Sequence, residues 1–343
     1  MIPKMGGLSI ALGFFAVALF IVPLDRQTIS VLAASGLVLM LGIYDDVKGS
    51  TWRVKLIVSV MATSVLIFFG HLCVRDLGNI LGFGNIKLGL LSVPFTYFAL
   101  FGIINAVNLV DGLDGLLSGI SIVTFLSFAL LGYMAGNTGA AFLSLVGLCA
   151  VIGFVPFNYP RARIFLGDTG SLFIGFLIGA ISLMLIADDR IKPVVPPLVL
   201  LLPIFDTLRV MGIRNHPFRP DRKHFHHLLL RSGISSLGTV NLMWMASAVF
   251  AFFAVAFRNW PSRYLFITES SLMLMMGMVV KNLKGVRIAS SKIRRGTGYA
   301  MSGNASGNKL GAPYRVTAKA ALKNKKSFEV KVQTIRVEKE ENT

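Results

Sequence analysis

Long apolar runs constrain this chain more than any other feature of its sequence. There are ten of them, separated by short polar connections, at residues 8–24, 29–44, 56–71, 90–107, 115–135, 140–157, 170–187, 194–210, 236–257 and 263–280. Runs of about 17–25 apolar residues predict helices that cross a membrane. Only 15% of the residues are charged, against about 25% in soluble domains. The sequence therefore predicts an all-α integral membrane protein with about ten transmembrane helices.

The C-terminal residues differ from the rest in composition. Residues 284–343 are basic, rich in Ser, Gly, Asn and Lys, and contain no long apolar run. Such a composition favours partial disorder, although the loosely alternating "SFEVKVQTIRVE" is compatible with one or two strands. We predict a polytopic membrane domain over residues 1–283, followed by a basic cytoplasmic tail over residues 284–343.

The distribution of basic residues predicts which face is cytoplasmic. With ten spans both termini share a face, which carries twelve Lys and Arg outside the tail against seven on the opposite face. Cytoplasmic loops carry the excess of Lys and Arg, so this face is predicted to be cytoplasmic. The rule also accounts for the net charge of +18 without a nucleic-acid partner. The tail is expected to contact anionic membrane lipids.

The acidic residues separate an enzyme from a transporter. Those expected on the cytoplasmic face are Asp45, Asp46, Asp111, Asp114, Asp168, Asp206 and Asp221. The acids assigned to ordinary loops on the opposite face are Asp25, Asp76, Asp188, Asp189 and Glu269. A transporter or flippase for lipid-linked sugars would place polar residues deep within several spans. The observed pattern favours an enzyme that works at the cytoplasmic membrane surface.

Four polar residues recur every three positions in "NAVNLVDGLDG", which ends one apolar run and begins the next. They are Asn105, Asn108, Asp111 and Asp114. Capping of a helix end explains one of them but not four. On a regular α-helix they would fan over half of the circumference, so a tighter or broken helix at Gly112 and Gly115 would align them better.

Two further motifs combine carboxylates with bases or with a helix start. In "YDDVKGSTWRVK", Asp45 and Asp46 precede Lys48, Arg53 and Lys55, which indicates either a solvated loop or a site for a phosphate and its cation. In "FLGDTGS", Asp168 or Thr169 is expected to cap the following helix. That helix start also offers backbone N–H groups to an anion and a carboxylate to a cation.

A third motif, "PDRKHFHH", brings imidazoles and bases together. It contains Arg222, Lys223, His224, His226 and His227. A zinc site is one interpretation, but the usual Cys or His partners are absent from the spacing, so a basic loop that faces a diphosphate is favoured. Shortly before it, Asp206 and Arg209 have the i,i+3 spacing of an ion pair.

Taken in order, these motifs resemble those of the polyprenyl-phosphate N-acetylhexosamine-1-phosphate transferases. The resemblance rests on "PKMGG", "DDVKG…K", "NAVNLVDGLDGL", "FLGDTGS" and "PDRKHFHH" and covers roughly residues 2–280. Asp206 in "IFDT" and the interrupted histidines resemble the WecA/TagO-like branch, which uses UDP-GlcNAc. The phospho-MurNAc-pentapeptide branch typically has three consecutive histidines, whereas here Phe225 interrupts them. Family members usually have eleven spans, so the resemblance implies that the first span is missing from this sequence.

The resemblance implies a reaction and its partners. N-acetylhexosamine-1-phosphate, most simply GlcNAc-1-phosphate, would pass from a UDP-sugar to undecaprenyl phosphate, with UMP as the second product. Such a reaction initiates a cell-envelope polysaccharide, with O-antigen, enterobacterial common antigen and teichoic acid as the candidate types. It requires Mg²⁺, with Mn²⁺ as an alternative, and occurs at the cytoplasmic face of the bacterial inner membrane. The sugar could also be FucNAc, QuiNAc or MurNAc-pentapeptide, and a homodimer is compatible with the resemblance.

The resemblance also implies roles for individual residues. Asn108 and Asp168 would bind the metal, and Asn105, Asp111 and Asp114 would shape the nucleotide pocket. Arg222, Lys223, His224, His226 and His227 would hold the diphosphate, and Lys4, Lys48 and Lys55 the lipid phosphate. One residue of the pair Asp45 and Asp46 would act as a base, or both would organise the cation and the lipid phosphate. The second alternative arises because a phosphate monoester is already largely dianionic at pH 7, and an ordinary Asp, with a pKa of about 3.9, is a poor base for it.

Overall fold

The computed structural model describes residues 2–187, 189–213 and 224–302, with side chains over residues 2–187, 189–212 and 224–282. Its helices are α1 (Gly6–Ile21), α2 (Arg26–Lys48), α3 (Trp52–Ser64), α4 (Ser92–Val110), α5 (Leu116–Met134), α6 (Thr138–Asn158), α7 (Gly167–Ala187), α8 (Val195–Val199), α9 (Leu201–Ile213), α10 (Phe225–Arg231), α11 (Ser236–Ala256) and α12 (Ser262–Ser302). A π-helical turn, Val65–Phe69, extends α3, and a 3₁₀ turn, Gly89–Leu91, precedes α4.

The prediction of an all-α integral membrane protein is confirmed. Eight helical segments in the described part of the chain are long and apolar enough to cross a membrane, and the 16-residue α1 is a shorter apolar helix. Within the same residues the only β-pairing is an isolated bridge between Asp76 and Lys87. The protein is therefore a multi-pass membrane protein.

The run at residues 194–210 does not form the single predicted helix. It divides at Leu200 into the short helix α8 and the helix α9. Pro203 lies in the first turn of α9, where it has no N–H to donate and its ring would clash with the carbonyl of Val199 in a continuous helix. The apolar composition of the run predicts a membrane segment but does not reveal that the helix is interrupted.

Helix α7 is the centre of the membrane domain. It is apolar around its circumference and buried along almost all of its length, as expected for a helix surrounded by others. Its first turn is reached closely by α1 and α2. A Cβ atom on Gly7 would overlap the backbone of Gly170, and one on Gly42 would overlap the backbone of Thr169. These glycines therefore let two helices approach the start of α7.

The "PKMGG" segment lies against the chain that enters α7. Pro3 accepts a hydrogen bond from the backbone N–H of Phe165 (2.9 Å), and Gly6 donates to the carbonyl of the same residue (3.0 Å). Gly7 donates to the carbonyl of Leu166 (2.8 Å). Two motifs about 160 residues apart in the sequence thus form one piece of backbone structure.

Three predictions concern the C-terminal region. Helix α12 continues from Ser262 to Ser302 and so passes through the predicted boundary at residues 283 and 284. The chain separates into the units Met1–Arg287 and Ile288–Thr343, and the predicted strands lie outside the described residues. The assignment of Glu269 to an ordinary loop is wrong, because this residue lies within α12 and is buried.

Candidate active site

The polar repeat spans the end of a helix, as its glycines suggested. Helix α4 ends at Val110 with Asp111 as its C-cap, and α5 begins after Gly115, whose φ of 77° is in the left-handed region. Asn108 therefore lies in the last turn of α4, whereas Asp111 and Asp114 lie in the connection to α5. The break lets residues of one short segment face a common site from two directions.

The carboxylate of Asp168 is the point where three helices meet. Lys55 Nζ of α3 lies 3.3 Å from Asp168 Oδ2, and Asn108 Nδ2 of α4 donates to Asp168 Oδ1 (3.3 Å). The amide of Asn108 also donates to Ser171 Oγ, one turn further along α7 (2.7 Å). The Asp168 side chain is 45% exposed, so it keeps open surface for a ligand.

Asp46 caps the start of α7 from another helix. Its Oδ1 accepts from the backbone N–H of Asp168 (3.0 Å), and its Oδ2 accepts from the N–H (2.8 Å) and the Oγ1 (2.6 Å) of Thr169. A carboxylate in this position satisfies free N–H groups and favours the positive end of the helix dipole. The cap that the sequence assigned to Asp168 or Thr169 is thus supplied by Asp46, and the Asp168 carboxylate is directed to Asn108 and Lys55 instead.

Asp45 is engaged on both oxygens as well. Its Oδ1 accepts from the N–H (2.6 Å) and the Oγ (2.5 Å) of Ser50, and its Oδ2 pairs with Lys55 Nζ (2.5 Å). The Asp45 side chain is only 4% exposed. Lys55 therefore bridges a buried carboxylate and an exposed one, and the "DDVKG…K" motif is a structured part of the site rather than a solvated loop.

The site carries more negative charge than its described partners neutralise. Burial, together with repulsion from Asp168, Asp114 and Asp46, raises the pKa of Asp111 to about 7. Asp114 accepts from the backbone N–H of Ala162 (3.1 Å). An excess of hard oxygen donors fits a hard cation such as Mg²⁺.

The half-exposed carboxylate of Asp168 beside the amide of Asn108 fits the way in which proteins usually hold Mg²⁺. Among the described residues no three His, Cys, Asp or Glu side chains converge as a metal-binding group. Mg²⁺ is usually held by one or two carboxylates and completes its shell with water and substrate phosphate oxygens. Asp168, half exposed beside the amide of Asn108, matches that pattern.

The histidine motif reaches the acidic segment through His226. The imidazole of His226 packs on Gly112 so closely that a Cβ atom there would overlap the ring. The ring centroids of His226 and His227 are 4.2 Å apart. Burial lowers the pKa of His226 to about 4, aided by the neighbouring His227 and His224, so this imidazole is neutral at pH 7.

Among the described residues, three that the sequence predicted for the site make no hydrogen bond or ion pair with the group around Asp168. Lys4 is exposed, and the exposed Lys48 has its Nζ 5.9 Å from the ring centroid of Tyr44. Asn105 donates to the carbonyl of Phe101 in its own helix (2.8 Å). Arg222 and Lys223 lie outside the described residues.

Asn158, which sequence reasoning missed, stabilises the connection beside the site. Its Oδ1 accepts from the N–H of Gly115 (2.9 Å) and from Ser118 Oγ (3.0 Å), while its Nδ2 donates to the carbonyl of Ile164 (3.1 Å). The side chain is buried, and it ties the start of α5 to the segment that leads to α7. A polar residue at the end of an apolar run, directly before "YPRAR", was the available signal.

These features place the chain in a known class of membrane enzyme. The family model described as glycosyl transferase family 4 matches residues 28–186, the stretch that contains Asp45, Asp46, Asn108 and Asp168. The chain belongs to this family, as its similarity to the transferases described next shows, and the resemblance inferred from the motifs is confirmed.

Within the family, the chain is similar to a group of proteins with one named activity. It is 31% identical over 268 residues to the undecaprenyl-phosphate alpha-N-acetylglucosaminyl 1-phosphate transferase of Escherichia coli K12, which covers 73% of this chain and 71% of that protein. The protein of the same name in Yersinia pestis is 32% identical over 271 residues, or 74% of this chain and 73% of that protein. The probable undecaprenyl-phosphate N-acetylglucosaminyl 1-phosphate transferase of Bacillus subtilis 168 is 28% identical over 269 residues, or 75% and 74%.

Proposed function

We propose that this chain transfers GlcNAc-1-phosphate from UDP-GlcNAc to undecaprenyl phosphate, giving undecaprenyl-diphospho-GlcNAc and UMP. One observation carries the proposal: Asp168, Asn108 and Lys55 converge at the start of α7, inside the stretch that matches the family. The names of the similar proteins supply the sugar and the acceptor. The same chemistry on FucNAc, QuiNAc or MurNAc-pentapeptide is the second candidate, since the shared motifs do not distinguish the sugars.

We propose that Asp168 and Asn108 hold Mg²⁺, which Mn²⁺ could replace. The support is the half-exposed carboxylate beside an amide, in a site with excess negative charge. The bound metal would neutralise charge on the diphosphate of the UDP-sugar. Asp111 and Asp114 would shape the nucleotide pocket, and the histidines with Arg222 and Lys223 would hold the diphosphate.

Lys55 is suited to bind the acceptor phosphate. Its ammonium group lies between Asp45 and Asp168 and is partly exposed, so two carboxylates fix its position while a third anion can still approach. An acceptor oxygen would attack the β-phosphorus of the UDP-sugar, and the bond from that phosphorus to the UMP oxygen would break. Holding the nucleophile in line is the main contribution that such a site can make.

For Asp45 and Asp46 the geometry supports a role in organising the site rather than a role as a general base. Both oxygens of Asp46 accept hydrogen bonds at the start of α7, and both oxygens of Asp45 are engaged by Ser50 and Lys55. The acceptor phosphate is largely dianionic at pH 7, so its oxygen needs no base. We therefore assign Asp46 to positioning Asp168, and Asp45 to positioning Lys55.

We further propose that the site faces the cytoplasm in the inner membrane and that residues 1–283 form the catalytic domain. The candidate residues lie at the ends of α2, α4 and α7 that share one face, and the basic loops predicted for that face follow the positive-inside rule. A Ser232→Cys variant that lacks Cys73 and Cys149 should resist membrane-impermeant thiol reagents in intact cells and react after permeabilisation. Ready labelling of intact cells would contradict this orientation.

The reaction can be tested with purified protein in detergent. The protein is incubated with undecaprenyl phosphate, Mg²⁺ and a panel of UDP-sugars, and UMP release and the lipid product are followed. UDP-GlcNAc should give the highest kcat/KM, with Asp168→Asn as the inactive control. A different preferred sugar would select the second candidate, and no UMP release with any donor would refute the transferase proposal for this chain.

A further inference from the structure

Asp206 is a buried carboxylate that joins two helices and a histidine. It lies in α9, is 1% exposed, and its Oδ1 accepts from Arg209 Nη2 (2.8 Å) and from the backbone N–H of Phe225 (2.8 Å). Its Oδ2 lies 2.9 Å from His224 Nδ1. The ion pair with Arg209 that the sequence predicted is therefore confirmed, but it is only one of three contacts. The other two tie α9 to the start of α10.

The contacts of Asp206 determine where His224 carries its proton. A carboxylate that accepts from a guanidinium and a backbone N–H is ionised and can only accept, so Nδ1 of His224 must be the donor. The hydrogen bond of one ring nitrogen sets the state and direction of the other. Nε2 is consequently the ring atom of His224 that remains for another partner.

His224 is connected to the acidic segment through one neighbouring ring. Its imidazole is nearly parallel to that of His226, with an angle of 8° and a centroid distance of 5.9 Å. His226 in turn packs on Gly112, the residue that follows Asp111. A rotation of the His224 ring would therefore alter the packing of His226 directly beside the candidate active site.

We infer that Asp206 is a positioning residue for the proposed transfer: it holds His224 with Nδ1–H toward itself, so that Nε2 is presented to the diphosphate of the donor. The inference rests on the proposed function, and it assigns to Asp206 a role that an ion pair within α9 does not require. Partners that orient a metal-binding histidine in this way typically change affinity or activity by about 10- to 100-fold when they are removed, and we expect an effect of that order for His224.

Asp206→Asn tests the inference because asparagine has almost the same shape as aspartate but replaces one acceptor oxygen with an NH₂ donor. Arg209 and the backbone N–H of Phe225 should hold the amide oxygen of the asparagine in the position of Oδ1. The NH₂ group then faces His224 Nδ1 and favours the tautomer in which Nδ1 accepts. We expect kcat/KM to fall by about 10- to 100-fold. Asp25→Asn is the matched control, since Asp25 caps α2 through Thr28 (2.7 Å) but lies away from the site, and its kcat/KM should stay within about twofold of the parent, as expected for distant, independent positions.

A double-mutant cycle separates positioning from a purely structural role. If Asp206 acts through His224, Asp206→Asn should lower kcat/KM by less than about twofold in the His224→Ala background. An effect of the same size in both backgrounds would overturn the inference, because Asp206 would then act independently of the ring.

If a variant does not fold or gives no measurable rate, the position of the His224 proton can be measured in the unaltered protein instead. The ¹⁵N chemical shifts of His224 should show a protonated, pyrrole-type Nδ1, and an unprotonated, pyridine-type Nδ1 would overturn the inference. Absence of UMP release from the unaltered protein would refute the proposed function instead, and the ¹⁵N measurement would still test the contact with Asp206.

Discussion

The two roles considered for Asp46 give opposite expectations for the stability of an Asp46→Asn variant. The carboxylate accepts three hydrogen bonds at the start of α7, from the N–H of Asp168 and from the N–H and Oγ1 of Thr169. An asparagine keeps one acceptor oxygen and turns an NH₂ group toward a donor. Replacing a capping side chain by Ala costs about 0.5–2 kcal/mol, which is an upper limit for Asn because Asn keeps one acceptor oxygen. Loss of a negative charge at a helix start typically costs about 0.3–1 kcal/mol. Since the two losses overlap, their sum is an upper limit, and we expect a destabilisation of about 1–2 kcal/mol.

The same substitution should also reduce activity, because Asp168 is the residue whose backbone Asp46 holds. Thermal unfolding in detergent gives the stability, and UMP release gives kcat/KM at several pH values. The positioning role predicts that both fall and that the shape of the pH profile is kept. A base would contribute about 10²- to 10⁴-fold to the rate without stabilising the fold. Unchanged thermal stability, together with such a loss and an altered pH profile, would therefore refute the positioning role.

Three further predictions follow from the site. Asp168→Asn should abolish UMP release while the protein still inserts and unfolds cooperatively; near-normal turnover at limiting Mg²⁺ would contradict its assignment to the metal. Gly112→Ala should lower kcat/KM by at least about tenfold, because its Cβ would displace His226, whereas Gly13→Ala meets open space and should be neutral; equal activities would contradict the packing. Asp111 has a pKa raised from 3.8 to about 7, so the folded state holds its proton more tightly and loses stability as the pH rises from about 4 to about 7. Asp111→Asn removes that loss of stability. With both proteins in EDTA, the melting temperature of the variant minus that of the parent should therefore rise between pH 5 and pH 8. A difference that does not change with pH would contradict the raised pKa of Asp111.

The sequence by itself determined the membrane architecture and the location of most candidate residues. Apolar runs are a local property, because the length of a segment and the absence of charge decide whether it can cross a bilayer. Polar residues at the end of such a run are costly unless they have a partner, so "NAVNLVDGLDG" could be recognised as a site before any contact was known. The glycines in the same stretch indicated the helix break, which the structure places between Val110 and Leu116.

Some local features were nevertheless misjudged. The run at residues 194–210 reads as continuous by hydropathy, but Pro203 cannot complete the helical hydrogen bonds at that point, and the helix divides at Leu200. Glu269 was assigned to a loop although it lies within α12. At Pro203 one residue outweighs the average of the residues around it. At Glu269 the average prevails, because the apolar run at residues 263–280 forms a helix and the single carboxylate does not interrupt it.

Only the tertiary structure decided which groups pair, and pairing sets the roles of the carboxylates. Asp46 caps a helix that begins 121 positions later in the sequence, and Asp206 meets His224 across the segment between α9 and α10. A helix start has several N–H groups without partners inside the helix, and any nearby acceptor can satisfy them, so no local pattern identifies which acceptor does. The close approach of Gly7 and Gly42 to the start of α7 brings these helices within hydrogen-bonding distance, and that distance is a property of the packed chain.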